Sequence, residues 1–157
     1  MADASGPTAY DLADDEVVPI AELVDLYTAV GWLIYASDPD ALARAVDRST
    51  YVVTARDEEG ELVGLARCLS DDVSIMYLQD VLVHPEHRRR TLGSILVGAC
   101  LRKFDHVRQK VLLTDDDEGQ HAFYRSLGYR DLDEIRPLRL HCFIQSPALD
   151  DAEPPAP

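Results

Sequence analysis

Behind Pro19, apolar residues fall at Ile20, Leu23, Val24, Tyr27 and Val30, the three- and four-residue spacing of an amphipathic helix. The stretch SDPDALARAV then offers Asp38 as an N-cap with Pro39 at the first helical position, which predicts a second helix. After residue 49 the pattern changes. TYVVTARD and ELVGLARCL are apolar and rich in strand-favouring residues, and the turn EEG around Gly60 joins them into a predicted antiparallel hairpin. VSIMYLQDVLV predicts a third, longer strand. From Leu92 to Phe104 apolar residues lie on most sides of a helix, which predicts burial, and Arg102 and Lys103 sit near its negative end. KVLLT predicts a strand, DDDEGQHAFYRSLGY a capped helix stopped at Gly128, and LRLHCFI a strand that closes the sheet; TAYDL opens it.

The predicted order is therefore β-α-α-β-β-β-α-β-α-β. Three antiparallel strands followed by a β-α-β unit imply an α/β (α+β) fold, with helices on both faces of a mixed sheet. A length of 157 residues suits one domain, expected over residues 9–145. Residues 1–8 are expected to be loose. Residues 146–157, proline-rich and acidic, lack large apolar residues beyond Leu149 and are expected to be disordered.

Charge sharpens this picture. Residues 1–40 hold nine acids and no Lys or Arg, whereas residues 88–110 carry a net +6. The chain's formal charge is −14, so the remaining residues carry −20. Such a body repels nucleic acid and anionic lipid and attracts cations, while a basic island within it suits a small anionic ligand. No stretch approaches the roughly 20 apolar residues of a membrane span, and the N-terminus lacks the pattern of a secretory signal. Cys68, Cys100 and Cys142 have neither disulfide nor metal spacing, which points to reduced thiols and a cytoplasmic protein. His84, His87, His106, His121 and His141 form no ligand-spaced set, so no metal site is expected.

The chemistry concentrates in VLVHPEHRRRTLGSILV. A strand ends near Val83, His84-Pro85-Glu86-His87 turns, and a helix opens among Arg88, Arg89 and Arg90. Unpaired N–H groups at a helix start, backed by guanidiniums, bind phosphate. Gly93 keeps a side chain out of the first turn. A solvated basic helix start is the alternative that the segment by itself leaves open. Asp80, in YLQDVLV, stands inside a strand, where aspartate is depleted. It reads either as a general base or as a structural partner of Arg67. Asp71 and Asp72 read as turn residues or as receivers of an ammonium.

YLQDVLVHPEHRRRTLGSILV, followed by FYRSLGY, resembles the GNAT superfamily of N-acetyltransferases over about residues 9–145. GLARCLSD and LQDVLVHP resemble the plant serotonin N-acetyltransferase type and its bacterial relatives. The resemblance implies six to seven strands, about four helices and acetyl-CoA as co-substrate. It implies that Arg88, Arg89, Arg90, Thr91, Leu92, Gly93 and Ser94 hold the pyrophosphate, with Thr91 standing where the family has a glycine. The backbone of Val81, Leu82 and Val83 would receive the pantetheine and polarise the thioester. Asp117 or Glu118 would reach the pantetheine and Arg125 the 3′-phosphate. Tyr124 would be the general acid beside the sulfur. Gln79 replaces a glutamate found in many members, which leaves Asp80 or a water as the base. Tyr27, Trp32 and Tyr35 would contact the acceptor with Gln79.

The expected function is acetyl transfer from acetyl-CoA to a primary amine, an (aryl)alkylamine or polyamine-like molecule, within a ternary complex. The rival expectations are a non-catalytic acyl-CoA-sensing or partner-binding module and a protein N-acetyltransferase. The acidic body argues against a nucleic-acid partner, and the sequence leaves a homodimer open.

Overall fold

The computed structural model describes residues 10–146, which fall into two compact units, one ending at Thr114 and the other beginning at Asp115. The loose N-terminus expected over residues 1–8, and the tail expected over 146–157 apart from Ser146, lie outside the described residues.

The first unit is built on a five-stranded sheet: β1 (Asp11–Ala13), β2 (Tyr51–Arg56), β3 (Leu62–Ser70), β4 (Ile75–Val83) and β5 (Gln109–Leu112), adjacent in chain order. The first four strands pair antiparallel, and β5 lies parallel to β4. Three helices, α1 (Ile20–Ala29), α2 (Leu33–Ala36) and α3 (Pro39–Asp47), separate β1 from β2; α4 (Leu92–Lys103) links β4 to β5. The N-cap read from sequence is present, with Ala41 N donating to Asp38 Oδ1 at 3.0 Å.

Residues 62–68 of β3 are buried without interruption, as expected of a central strand covered on both faces. Leu65 packs with Leu23, Leu26, Tyr27, Leu42, Val46 and Leu82 under α1 and α3. One residue earlier, Gly64 faces the opposite way. A Cβ there would stand 3.0 Å from a Leu96 methyl and 3.2 Å from a Leu92 methyl, so the glycine lets α4 lie close on the sheet.

Two details of β4 matter for the site. Asp80 pairs with Arg67 but Leu78 pairs with Cys68, which makes Gln79 an extra residue, a β-bulge. β5 follows β4 only as far as the Leu78–Leu112 pair. Among the described residues, 79–83 therefore lack a ladder partner on that edge.

The second unit carries α5 (Glu118–Ser126), capped by Asp117, and a short 3-10 turn, Leu132–Glu134. Gly128, at φ +93°, follows the helix end.

The architecture is the expected mixed, mostly antiparallel sheet, with corrections to its count. There are five strands instead of six to seven, and five α-helices instead of about four, among the described residues. The closing strand expected in LRLHCFI is absent. Its alternation suits a strand, but a strand exists only with a ladder partner; this segment is irregular, and Phe143 is 94% exposed. The added helix is α2, one turn long, whose Leu33 and Ile34 are exposed and so give no amphipathic pattern.

Candidate active site

Asp80 lies at the centre of the first unit and is 2% exposed. Its Oδ2 accepts from Arg67 Nε and from the Tyr27 hydroxyl, the latter at 2.7 Å. Arg67 is itself buried, and its Nη1 reaches Ser49 Oγ at 3.3 Å and the Ala45 carbonyl at 3.4 Å. Burial pulls the Arg67 pKa down, but the adjoining Asp80 charge and hydrogen bond prevail and leave it raised. The Tyr27 phenol is pushed far up by burial and by the Asp80 charge. This triad gives the aspartate in a strand its physical reason, and the structural pairing with Arg67 is present.

The other carboxylate oxygen is less committed. Asp80 Oδ1 receives only a long contact, 3.4 Å, from Gln79 Nε2, which also reaches the Tyr35 hydroxyl at 3.4 Å. Gln79 and Asp80 line an open cavity of about 450 Å³, whose wall is Gly31, Trp32, Leu33, Ile34 and Tyr35. Gly31, at φ +88°, turns the chain between α1 and α2, and Trp32 N donates to the Tyr27 carbonyl at 2.9 Å. Trp32 and Tyr35 thus stand at the cavity with ring centroids 5.9 Å apart. Tyr27 does not line it: that side chain is fully buried and faces Asp80.

From this cavity β4 runs straight to the arginine segment. His84 N donates to the Val63 carbonyl at 2.8 Å. Because pairs alternate along an antiparallel ladder, Leu82 also faces β3, and Val81 and Val83 turn their N–H groups to the edge that β5 does not follow. A 3-10 turn, Pro85–His87, leads into Arg88, Arg89, Arg90 and Thr91, all exposed. Arg89 (φ +59°) and Thr91 (φ +66°) are left-handed, and left-handed Thr91 directly before helical Leu92 is the kind of pairing that turns successive N–H groups into an anion-binding nest. No side chain caps α4, so the first-turn N–H groups of Leu92, Gly93 and Ser94 have no side-chain acceptor. The Thr91 hydroxyl donates to the Arg90 carbonyl. Arg88 Nε reaches back to the Val83 carbonyl at 3.4 Å. The residues present fit a diphosphate: a nest, an uncapped helix start and three guanidiniums.

In the second unit, Tyr124 packs edge-on against Phe123 and Tyr129, with ring centroids 5.0 and 5.9 Å away. Burial pushes its phenol up, so it stays protonated at neutral pH. Asp117 Oδ1 accepts from Gln120 N at 2.9 Å as the helix cap. Arg125 pairs with Glu134 at 2.7 Å. In the first unit, Asp71 closes the β3–β4 turn by accepting from Val73, Ser74 and Ile75 N–H groups. Asp72 pairs with His106 at 2.9 Å. Among the described residues no group of three His, Cys, Asp or Glu could hold a metal ion.

Sequence reasoning missed the bulge at Gln79 and the role of Tyr27 in holding Asp80. The first leaves no compositional trace. The second had one signal: a tyrosine on a buried helix face needs a polar partner, and a strand aspartate offers one.

A mixed sheet of four antiparallel strands and a parallel fifth, flanked by helices, is a fold shared with known acetyltransferases. The chain superposes on a GNAT family acetyltransferase of Streptococcus pneumoniae with a TM-score of 0.72 and 28% identity, over 88% of this chain and all of that one. It also shares the fold of the aminoglycoside N-acetyltransferase AAC(6')-Iy solved with CoA (TM-score 0.65, 14% identity, 88% and 99% of the two chains). Residues 17–129 match the acetyltransferase (GNAT) family, and the chain belongs to that family. A Gibberella zeae protein named "Putative acetyltransferase FG08082" is 42% identical over 82 residues, half of this chain and 45% of that protein. The chain thus matches less than half the length of that relative. An "Uncharacterized N-acetyltransferase ycf52" of Pyropia yezoensis is 22% identical over 80% of this chain and 73% of that protein.

Proposed function

We propose that this protein transfers the acetyl group of acetyl-CoA to a small primary amine, an (aryl)alkylamine or polyamine-like molecule, bound in the cavity of residues 31–35, 79 and 80. One observation carries the reading: the Asp80 cavity opens on the stretch of β4 that lacks a β5 partner and leads directly into the arginine loop.

An alkylamine with an ordinary pKa of about 10.4 arrives as an ammonium and must lose a proton before it attacks. Asp80 Oδ1, whose sister oxygen is held by Arg67 and Tyr27, receives that proton directly or through a water. Gln79 orients Asp80 and the Tyr35 hydroxyl. One of the two N–H groups of Val81 and Val83 steadies the thioester oxygen as negative charge grows on it, and the other receives the pantetheine. Arg88, Arg89, Arg90 and the backbone of Thr91, Leu92, Gly93 and Ser94 hold the coenzyme phosphates. Tyr124 keeps the role its motif assigns, giving the phenol proton to the departing thiolate; Asp117 and Arg125 keep theirs as coenzyme contacts. The serotonin N-acetyltransferase type stays part of this proposal on its motifs alone. Free thiols at all three cysteines support a reducing, cytoplasmic setting.

A panel of amines with acetyl-CoA, followed by free-thiol release, tests this reading. Turnover with a small amine is expected, and Tyr124→Phe is expected to lower kcat. Coenzyme binding without turnover on any small amine, peptide lysine or peptide N-terminus would favour the sensing module instead.

A further inference from the structure

The arginine loop is costly to hold in its observed shape, since two non-glycine residues there, Arg89 and Thr91, are left-handed. Its C-terminal side is anchored by Leu92 and Leu96, which are fully buried against Gly64. Its N-terminal side begins at His87, the last residue of the 3-10 turn and the immediate neighbour of Arg88.

His87 meets two other elements, Tyr10 through a hydrogen bond and Asp57 through a longer polar contact. Its Nδ1 lies 3.1 Å from the Tyr10 hydroxyl, with the two rings edge-on at 5.7 Å, just ahead of β1. Its Nε2 lies 3.7 Å from Asp57 Oδ2, in the β2–β3 turn. Both partners in that contact are largely buried, with side-chain exposures of 14% and 11%. A carboxylate facing Nε2 favours the proton on that nitrogen, which leaves Nδ1 to accept from Tyr10. Asp57 is fixed in turn, because its Oδ1 accepts from Glu61 N at 2.9 Å and Glu59 N at 3.1 Å. His84 stacks edge-on against it at 6.1 Å.

We infer that Asp57, His87 and Tyr10 form a clamp that presets the arginine loop for the coenzyme phosphates, with His87 as a positioning residue. Only residues 88–91 then separate the clamp from the anchored helix, so the loop enters binding with little left to order. The inference rests on the proposed coenzyme site but not on the acceptor or on the chemical step.

The test uses the full chain and CoA itself. Tyr10→Phe removes one hydroxyl and should weaken CoA about fivefold by calorimetry, the scale of one hydrogen bond. Asp57→Asn, which keeps the acceptor for the turn N–H groups, and His87→Ala should each weaken it by about tenfold. His87→Gln, whose amide can still donate towards Asp57, should recover part of the loss. The KM for acetyl-CoA should rise in step while kcat at saturating acetyl-CoA and the KM for the amine hold, as for interactions made equally in ground and transition states. Melting temperatures within a few degrees of wild type certify the fold, and Tyr10→Phe serves if His87→Ala fails that check. Wild type that binds CoA while all folded variants bind it equally overturns the clamp alone. Wild type that does not bind CoA overturns the clamp and the proposed site together.

Discussion

Thr91 shows how one position can be both a departure and a continuation. Its φ of +66° is the conformation a glycine reaches freely, and the sequence resemblance aligns it with a glycine. A β-branched residue held there costs about 1–2 kcal/mol. Thr91→Gly should return up to about 1 kcal/mol after the extra freedom of glycine in the unfolded chain is subtracted, read by urea unfolding. CoA affinity should hold or rise, because the donors are backbone N–H groups. A variant less stable than wild type would show that the loop is not strained at this residue. Asp80 calls for a different design. Asp80→Asn leaves Arg67 charged and buried, with an expected loss of about 3–5 kcal/mol. Exchanging both partners, as in Arg67→Met with Asp80→Leu, should restore much of that stability but not turnover. A folded double variant with wild-type kcat would strip Asp80 of its proton-accepting role.

At the scale of the element, the β3–β4 connection fixes the register that brings Arg67 opposite Asp80. Asp71 holds that turn, and its carboxyl lies well below the usual range because the Ser74 hydroxyl and the N–H groups of residues 73–75 favour the charged form. A depressed folded pKa contributes stability above the unfolded value of about 3.9. That contribution fades as pH falls through the lower folded value. The melting-temperature gap between wild type and Asp71→Ala should therefore be constant above about pH 5 and shrink under stronger acid. A gap that grows on acidification would contradict this account. The same region marks what a sequence can tell. Hairpin strands, the Asp38 cap, buried α4 and capped α5 were legible because period and capping chemistry are local. The arginine segment drew notice because like charges placed together demand a reason, but the helix expected to open among the arginines begins after them, at Leu92. A bulge at Gln79, the single turn of α2 and the missing strand at residues 138–144 depend on which partner a segment meets, and no local pattern encodes that.

At the scale of the molecule, the charge divides along the sequence into a basic island and an acidic remainder. The basic island of residues 88–110 carries +6, and the remaining residues carry −20. A cationic amine approaching the Asp80 cavity meets one carboxylate already matched by Arg67, so the cavity itself adds little net attraction. Attraction must come from the acidic body, and that field is long-range. At about 0.1 M salt the screening length is about 10 Å, so such a field weakens while a contact pair survives. Raising salt from about 20 to 500 mM should thus raise the KM of an alkylamine severalfold and leave kcat in place. An amine of low basicity, uncharged at neutral pH, should show no such rise. If both amines respond alike, the salt acts on the coenzyme loop or on the fold, and the acidic body has no part in gathering the acceptor. If neither responds, recognition is local, and Asp80 attracts the ammonium in spite of its buried partner.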